Sequence, residues 1–454
     1  MTVREATLHE VLDNREQRVL RQKQLLSDYG TTLICFTMNI PGPVKYDPWV
    51  RAGFDLGKMR LLDILSAAKI PLLHQETVYA VTGCEGFFVV DAPAGQIKKL
   101  TVQLEDGEEL GRLYDLDVLT AAGDKCSRTQ LGLPGRKCLL CEKPASVCGP
   151  IRAHSAAQLW QRTEQILREG VIRFRGEYIG AMASKALLYE VGITPKPGLV
   201  DRDNAGAHLD MDIFTFFGST AVLQPYFIQC AKIGMETCDL PPKETFRQIR
   251  MAGILAEGDM FRQTGGINTH KGAIFSLGIA CAAAGRMGGQ CPLAPDQLLN
   301  QCAAIAEGIT REDLRGITSS SARTAGEKLF ADHGITGIRG QAEAGFPAVR
   351  LHGLPVLREG LRMGLEIDRA AAAALLAILA NTDDTNLIHR SDRQSQQQVA
   401  ASVARLLAET PYPTVDVLRQ LDHAFIRDNL SPGGSADLLA LTLLVHFLSC
   451  EETK

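Results

Sequence analysis

The chain has 454 residues, of which 45% are hydrophobic and 22% are charged, and its formal net charge is −4. The composition is that of an ordinary soluble globular protein. The length exceeds the roughly 250–300 residues that one hydrophobic core usually supports, so it predicts two domains. The slightly negative charge excludes the overall basic field of a general nucleic-acid-binding protein.

The N-terminus, the apolar runs and the cysteines together indicate a cellular compartment. The first residues, MTVREATLHEVLDNREQRV, are charged and lack the apolar core of a signal peptide. The longest apolar run, residues 438–449, is too short to span a bilayer. The 12 cysteines are scattered apart from one cluster. We therefore expect a cytoplasmic protein with reduced thiols and no membrane partner.

The first third of the chain mixes helix and strand patterns. Apolar positions interleaved with charge predict one or two amphipathic helices over residues 5–29. Runs of β-branched and apolar residues predict strands over residues 31–40, 78–90, 99–104 and 110–119. Strands with flanking helices predict an α+β domain, which we assign to residues 1–165.

The last of these strands contains two alternating aspartates, in the segment GRLYDLDV of residues 111–118. Alternate residues on a strand project from the same face, which places Asp115 and Asp117 about 7 Å apart. Two such carboxylates can share a Mg²⁺ ion, whose charge assists phosphate transfer. The alternative is a pair of solvent-facing aspartates without a ligand.

A cysteine cluster follows in the segment GRKCLLCEKPASVCGPIRAH of residues 135–154. Cys138, Cys141, Cys148 and His154 are ligand types of a tetrahedral zinc site, and free thiols in a packed turn are the alternative. Basic residues accompany this cluster and predict a local positive patch; they are Arg128, Arg136, Lys137 and Arg152.

These segments together with NIPGPVK, residues 39–45, resemble the CitX-type holo-citrate-lyase synthases. The resemblance implies a nucleotidyltransferase-like domain that transfers a phosphoribosyl-dephospho-CoA group to a serine of the citrate lyase acyl carrier protein. Diphosphate is then the leaving group, and Asp115 and Asp117 hold Mg²⁺ on the triphosphate. The residues expected to bind phosphates in this half are Lys45, Arg112, Arg136 and Arg152, and the basic patch is expected to bind an acidic carrier.

Helix patterns dominate from residue 178 onward, after a short, partly helical junction predicted over residues 155–177. Period-3.6 patterns predict helices over residues 245–262, 366–380 and 396–407, and the apolar segments of residues 179–191 and 435–448 predict two more. Ser435 is the predicted N-cap of the last helix. Strand signals are scarce, so we predict an all-α domain over residues 175–454.

A polar loop over residues 194–216, TPKPGLVDRDNAGAHLDMDIFTF, interrupts these helices. Pro195 and Pro197 end the preceding helix, and glycines permit tight turns. Asp210 and Asp212 are oxygen ligands of the kind Mg²⁺ accepts, while Lys196 and Arg202 suit phosphate oxygens. A solvated loop with local salt bridges is the alternative.

Three further loops between helices carry chemically useful side chains. They are GGINTHKG (residues 265–272), NTDDTNLIHR (residues 381–390) and SPGGSAD (residues 431–437). The first offers His270 and Lys271, the second Asp383 and Asp384, and the third resembles an anion site at a helix start. Glu257 and Asp259 are further acidic candidates, and a capped turn is the alternative for each loop.

The four loops together resemble the CitG-type triphosphoribosyl-dephospho-CoA synthases over roughly the last 280 residues. The resemblance implies a condensation of ATP with 3′-dephospho-CoA that releases adenine and retains the triphosphate. Asp210, Asp212, Asp383 and Asp384 are then expected to supply the base and the Mg²⁺ ligands. The residues expected to bind substrate are Lys196, Arg202, His208, His270, Lys271 and Arg390.

The central hypothesis is that acidic side chains from separate loops of the helical half converge on a cation-bound nucleotide. The alternative function is a hydrolase of ADP-ribose or nucleotides, joined to a zinc-stabilised binding module. Adenine release that depends on dephospho-CoA distinguishes the two functions. The acidic net charge and the low aromatic content of 6% disfavour nucleic acid as the partner of such a module.

Overall fold

The computed structural model describes residues 3–289 and 292–450. The chain separates into two compact units, Met1–Arg173 and Phe174–Lys454. The boundary lies inside one long helix, Ala156–Gly192, where the sequence predicted a shorter, partly helical junction.

A four-stranded antiparallel sheet forms the centre of the first unit, with strand order β2-β3-β1-β4. The strands are β1 (Thr32–Met38), β2 (Leu72–Ala80), β3 (Gly83–Val90) and β4 (Tyr114–Leu119). Strand β1 lies between two neighbours, and its residues Leu33, Ile34 and Phe36 are fully buried. This matches the apolar, β-branched run that predicted it.

Helices cover the sheet of the first unit. They are α1 (Leu8–Tyr29), α2 (Pro48–Ala67), α3 (Ala94–Asp106) and the short α4 (Ala145–Cys148). Helix α2 packs closely because Gly57 has no side chain: a Cβ atom there would lie 2.6 Å from the Phe36 ring. Phe36 also stacks on Phe54 at 4.6 Å between ring centroids, which joins β1 to α2.

The predicted strand over residues 99–104 is wrong, because these residues lie within helix α3. The buried residues Ile97, Thr101 and Leu104 recur at helical spacing, and this periodicity overrides the local β propensity of the segment. The strand predicted to begin at Leu110 begins at Tyr114, after a 3₁₀ turn over Leu110–Leu113.

The described part of the second unit contains only helical elements, as predicted. After α5 (Ala156–Gly192) these are α6 (Ile213–Glu236), α7 (Pro242–Gln263), α8 (Lys271–Arg286), α9 (Pro295–Ile305), α10 (Ile309–Leu314), α11 (Ala325–His333), α12 (Gly337–Glu343), α13 (Leu354–Arg362), α14 (Ile367–Ala380), α15 (Thr385–Arg390), α16 (Arg393–Glu409), α17 (Val415–Arg427) and α18 (Gly433–Ser449), with a π-helical turn over Val349–Gly353.

Small residues let the central helices of this unit approach closely. A Cβ atom on Gly234 of α6 would lie 2.1 Å from the Ala282 carbonyl oxygen of α8. Glycine and alanine therefore permit direct contact between the α6 and α8 backbones. Helix α14 is buried over Ala370–Leu379, so it forms the apolar centre of the bundle. Among the described residues, no helix is both long enough and apolar enough to cross a membrane.

The predicted N-cap role of Ser435 is wrong. Helix α18 begins two residues earlier, at Gly433, and Ser435 lies within its first turn. The Ser435 hydroxyl and backbone N–H both donate to the carboxylate of Asp384, at 2.8 and 2.6 Å. Ser435 therefore joins two loops instead of capping its own helix.

Candidate active sites

One cavity of about 1130 Å³ opens among the helices of the second unit. Each of the four loops singled out by sequence contributes to its walls. The lining residues from these loops include Lys196, His208, Asp210, Asn268, His270, Lys271, Asn381, Asp383, Asp384, Arg390, Ser431 and Asp437. The predicted convergence of separate loops around a shared cavity is therefore found in the structure.

Buried carboxylates hold the loop over residues 194–216 in shape. Asp201 accepts hydrogen bonds from the backbone N–H groups of Lys196, Asp203 and Asn204, at 2.7–3.0 Å. Asp422 accepts from the Gly198 backbone at 2.9 Å. Gly198 has φ +70°, and a Cβ atom there would lie 2.3 Å from a backbone oxygen, so only glycine fits. These buried carboxylates therefore hold the backbone of the loop in its conformation.

Lys196 is not free to bind a phosphate in this structure. Its side chain is 2% exposed, and Nζ donates to the Glu190 carbonyl at 2.7 Å and to the Glu190 carboxylate at 2.5 Å. A buried, paired lysine neutralises its partner and anchors the loop to α5. The structure thus corrects the expected role of Lys196.

His208 and Arg390 connect three loops on one side of the cavity. His208 Nε2 lies 2.8 Å from the Ser431 hydroxyl. Arg390 donates to the Ala207 carbonyl and, at 2.7 Å, to the Asn429 side chain. Burial, reinforced by the positive charge of Arg390, lowers the pKa of His208, so the imidazole is neutral near pH 7. Both side chains hold the loops in position.

Two adjacent aspartates, Asp383 and Asp384, have opposite surroundings. Asp384 is buried and accepts hydrogen bonds from the backbone N–H groups of Asn386, Leu387, Gly434 and Ser435 at 2.6–3.2 Å. Asp383 is exposed to the cavity and accepts no hydrogen bond from another described residue. Asp384 is therefore a clamp between two loops, and Asp383 is available to a ligand.

The other predicted residues of the first loop divide in the same way. Asp210 is exposed and lines the cavity. Asp212 caps α6, accepting from the Thr215 backbone at 2.9 Å, and is not among the cavity-lining residues. Arg202 is likewise outside the lining and pairs with Asp368 at 2.5 Å. Position in the fold, rather than charge, separates these side chains.

The loop over residues 265–272 places its two basic side chains differently. His270 is 2% exposed, and Nδ1 lies 2.7 Å from the Ser219 hydroxyl. Lys271 is exposed and pairs with Glu257 at 2.8 Å on the cavity wall. Asp259 pairs with Arg262 instead and is not among the cavity-lining residues.

Sequence reasoning missed several contributors to the cavity, two of which bear on its chemistry. The first is the segment of residues 333–341 (HGITGIRGQ), which lines the cavity. Its signal was a glycine at every third position, with φ +69° at Gly334 and +55° at Gly337. The second is Asp437, the last residue of the SPGGSAD motif. Its carboxylate lies so close to Gly272 that a Cβ atom there would approach it to 1.9 Å.

In the first unit, Asp115 and Asp117 lie on β4 and are both half-buried, while their neighbours Tyr114, Leu116 and Val118 are buried. The alternation therefore places both carboxylates on the same face, as predicted. Burial, and next the charge of Asp117, raises the pKa of Asp115. Lys125 contacts Asp117 at 2.6 Å and Arg136 contacts Asp115 at 3.6 Å. A cation would relieve the repulsion between these two carboxylates.

A buried glutamate organises the basic residues beside this pair. Glu105 is 2% exposed and lies 2.5 Å from both Arg128 and Arg136. The Arg128 side chain is only 10% exposed and also pairs with Asp106. The predicted basic patch therefore loses Arg128, because that residue is used internally.

The remaining predicted phosphate ligands of the first unit have varied surroundings. Lys45 donates to the Ile40 carbonyl at 2.5 Å, and burial lowers its pKa. Arg112 donates to the Cys138 carbonyl at 2.7 Å. Arg152 is exposed and adopts φ +48°. Among the three, Arg152 is the most open to a partner.

The predicted zinc ligands come together in the first unit. The ligand atoms of Cys138, Cys141, Cys148 and His154 all lie within 4.8 Å of one another. The Cys141 and Cys148 sulfurs are 3.5 Å apart, and His154 Nε2 lies 3.4 Å from Cys141. Zinc–sulfur bonds of about 2.3 Å in a tetrahedron place sulfurs about 3.8 Å apart, so the cluster fits a structural metal.

Comparison with known proteins agrees with this geometry. The family model described as CitX, apo-citrate lyase phosphoribosyl-dephospho-CoA transferase, matches residues 6–170. The model described as CitG, ATP:dephospho-CoA triphosphoribosyl transferase, matches residues 176–454. "Protein CitXG" of Haemophilus influenzae is 35% identical over 455 residues, which covers 98% of this chain and 96% of the relative.

The chain belongs to the CitXG family.

Two further relatives extend the CitXG match. "Protein CitXG" of Leuconostoc mesenteroides subsp. cremoris is 36% identical and covers 96% of each chain. A "Probable 2-(5''-triphosphoribosyl)-3'-dephosphocoenzyme-A synthase" of Albidiferax ferrireducens is 40% identical over 272 residues, which cover 59% of this chain and 89% of the relative. This chain is thus a bifunctional transferase in the synthesis and attachment of the citrate lyase prosthetic group.

Proposed function

We propose that the two reactions are divided between two domains of this chain. Residues 175–454 join ATP to 3′-dephospho-CoA and release adenine. Residues 1–165 then transfer the phosphoribosyl-dephospho-CoA group to a serine of the citrate lyase acyl carrier protein and release diphosphate. The observation that carries the first assignment is the meeting of four sequence motifs around a single cavity.

Asp210 is the proposed Mg²⁺ ligand of the helical cavity, and Asp383 is proposed to stay free of the ion for proton transfer. Both are exposed carboxylates on its wall, and neither accepts a hydrogen bond from another described residue. Hard oxygen donors that are not held by the protein suit Mg²⁺, which keeps several waters and binds through one or two carboxylates plus phosphates. The bound ion supplies positive charge to the retained triphosphate.

The condensation forms one bond and breaks one bond at the anomeric carbon of ATP's ribose. A ribose hydroxyl of dephospho-CoA attacks this carbon and loses its proton to a carboxylate, while the bond to adenine breaks. Asp383 is the favoured base, because Asp384 is committed to backbone hydrogen bonds and Asp212 to a helix cap. Lys271 and the exposed Arg393 supply positive charge on the cavity wall.

This assignment is tested by incubating the purified protein with ATP, Mg²⁺ and 3′-dephospho-CoA, and following adenine by chromatography and the coenzyme product by mass. Adenine is expected only when dephospho-CoA is present, because a hydrolase would release it from ATP alone. Asp210→Ala and Asp383→Ala should each slow the release. Wild-type rates in both variants would refute the assignment.

The transfer reaction is proposed to use the β4 edge of the first unit. Asp115 and Asp117 would hold Mg²⁺ on the triphosphate, where its charge assists departure of diphosphate as the carrier serine attacks the phosphate next to the ribose. Arg136, which lies 3.6 Å from Asp115, is placed to contact a phosphate oxygen there. Arg152 and Lys137 are exposed and form the proposed docking surface for an acidic carrier protein.

The metal of the cysteine cluster is proposed to be structural zinc. Three cysteines and one histidine complete a four-coordinate shell and leave no open position for substrate. Arg112 donates to the Cys138 carbonyl, and the Cys138 backbone N–H bonds the Lys143 carbonyl at 2.8 Å, so the ligand loop is closed on itself. The metal would fix the segment that begins at Arg136, beside Asp115.

Elemental analysis of the purified protein tests the zinc assignment. We expect one zinc per chain, lost in Cys141→Ser and retained in Cys126→Ser, whose cysteine lies outside the cluster. Carrier labelling should fall in Cys141→Ser while adenine release continues. Zinc-free wild-type protein with full carrier labelling would contradict the assignment.

A further inference from the structure

A chain of hydroxyl groups sets the protonation of His270. The Thr269 hydroxyl donates to the Ser219 oxygen at 2.8 Å, and Ser219 Oγ lies 2.7 Å from His270 Nδ1. Among the described residues, Nδ1 is the partner left for the Ser219 hydrogen, so Nδ1 accepts. Burial, together with the charge of Lys196, lowers the pKa of His270 to about 3. The ring is therefore neutral and carries its hydrogen on Nε2.

The Nε2–H group of His270 has no hydrogen-bond partner among the described residues. The His270 side chain is 2% exposed and the residue lines the cavity. A buried donor without an acceptor costs free energy, which a ligand acceptor would recover. Because Nε2 already carries hydrogen, His270 cannot serve as the base for the attacking hydroxyl. Its chemistry is that of a neutral donor.

The surroundings of His270 disfavour a phosphate as the acceptor. Glu190 neutralises the charge of Lys196. The negative charges of Glu190 and Asp384 both raise the pKa of Asp437. Among these groups, no unpaired positive charge is left to attract the oxygens of a phosphate. A neutral ring with nitrogen acceptors does not need such a charge.

The same end of the cavity has features that suit a flat aromatic ring. Phe216 lines it and meets the His270 ring edge-on, with 5.0 Å between centroids. Leu199 and Leu438 are apolar residues of the cavity lining. An aromatic face, apolar neighbours and a single neutral donor are typical of a site for a purine base.

Asp437 is the acidic group at this end. It lines the cavity and lies against Gly272, two residues after His270. Burial, followed by the charges of Glu190 and Asp384, raises its pKa well above the usual value, against the lowering effect of the Ala273 backbone N–H. This environment favours the protonated carboxyl, which is the form that can act as a general acid.

We propose that this end of the cavity binds the adenine of ATP, with His270 Nε2 donating to a ring nitrogen and Asp437 protonating the departing base. The inference rests on the proposed condensation and names the group that assists its leaving base. When the bond between adenine and the anomeric carbon breaks, its electron pair remains on adenine, and the Asp437 proton moves to a purine nitrogen. The proton released by the attacking hydroxyl restores the Asp437 carboxyl through the base and solvent.

The first test measures binding of ATP, 1-deaza-ATP, 3-deaza-ATP and 7-deaza-ATP to the wild-type protein in the absence of dephospho-CoA. At least one analogue, lacking the acceptor nitrogen, should bind about tenfold more weakly than ATP. His270→Phe should remove that difference, and His270→Gln, which retains a donor, should keep part of it. Equal binding of all four nucleotides to the wild type would overturn the role of His270.

The second test compares ATP with its N7-methylated analogue, whose base departs without a proton. Asp437→Asn should lower the kcat for adenine release about 100-fold with ATP at similar KM, and less than tenfold with the methylated analogue. Equal losses of kcat on both substrates would overturn the general-acid role. Turnover of ATP by Asp437→Asn at the wild-type rate would also overturn it. Far-ultraviolet circular dichroism checks that the variant is folded. If Asp437→Asn is unfolded, Asp437→Glu, which keeps the acid, is used instead. The ratio of its kcat loss on ATP to its kcat loss on the methylated analogue then decides.

Failure of the proposed function gives a different result. In that case the wild-type protein releases no adenine from ATP and dephospho-CoA, whatever the analogue binding shows. Adenine release by the wild type, with equal binding of the deaza analogues and equal losses in Asp437→Asn, would refute only the base-binding inference.

Discussion

The two acidic regions of this chain are built in opposite ways. In the first unit, Asp115 and Asp117 are two residues apart on one strand, so strand geometry alone places them together. In the second unit, Asp210 and Asp383 are 173 residues apart in sequence and meet only because separate loops line one cavity. The strand pair is local, and the helical site is assembled by the fold.

The difference shows in what neighbouring carboxylates do. On β4 both aspartates are half-buried on one face. Burial raises the pKa of Asp115, and repulsion by the charge of Asp117 raises it further. In the helical loops, Asp383 faces the cavity while Asp384, the next residue, is buried among backbone N–H groups. Closeness in sequence therefore predicts a shared role for two carboxylates on a strand, but it does not do so for two carboxylates in a loop.

The largest expected effect separates the two regions by activity. Asp115→Asn should reduce carrier labelling about 1000-fold, because loss of cation binding removes several kcal/mol of charge stabilisation from the transfer. Adenine release by the same protein should be unchanged. Intact mass of the carrier and chromatography of adenine measure the two activities.

Asp63→Asn is the matched control for Asp115, because Asp63 is an exposed aspartate on α2 and not on β4. It should leave both activities at wild-type level. Parallel loss of both activities in Asp115→Asn would contradict the separation of the two sites.

The next effect concerns the assembled site. Asp383→Asn should slow adenine release about 100-fold, since removal of a general base commonly costs 10²–10⁴. Carrier labelling should persist when the triphosphoribosyl intermediate is supplied directly. Asp416→Asn, at an exposed position on α17, serves as the control and should have no effect. An unchanged rate in Asp383→Asn would remove this residue from the site.

A stability comparison sharpens the contrast between the adjacent aspartates. Asp384→Ala should lower the free energy of unfolding by about 3 kcal/mol or more, because it leaves several buried donors without an acceptor. Asp383→Ala should change it by less than about 0.5 kcal/mol, as for an exposed side chain. Chemical denaturation of both variants measures the difference. Equal changes would show that Asp384 is not the clamp that its hydrogen bonds indicate.

The smallest expected effect is a pH dependence in the helical unit. Burial, then the charge of Arg390, lowers the pKa of His208. A histidine whose pKa is lower in the folded state contributes stability that is complete above the unfolded pKa of about 6.5 and is lost as the pH falls toward the folded value. His208→Gln should therefore flatten the decline of melting temperature between pH 7.5 and 5. The exposed His423→Gln is the control, and an unaltered slope in His208→Gln would contradict the prediction.

Several features were predictable because their signals are local. The run over residues 31–40 predicted β1, period-3.6 patterns predicted α7, α14 and α16, and motif composition located the loops that line the cavity. The strand predicted over residues 99–104 failed because the buried residues Ile97, Thr101 and Leu104 recur at helical spacing, which overrides the local β propensity. The Gly-rich segment of residues 333–341 was missed because glycine spacing has no unique structural meaning without its neighbours.

The amino-acid sequence by itself determined the two classes of domain, the identity of the motif loops and the pairing of Asp115 with Asp117, because periodicity and strand alternation act over a few residues. The tertiary structure decided which charged side chains are free: Asp210 and Asp383 face the cavity, while Lys196, Asp384 and Arg128 are used internally. Burial and hydrogen-bond partners come from residues distant in sequence, and they fix whether a charge is held by the protein or offered to a ligand.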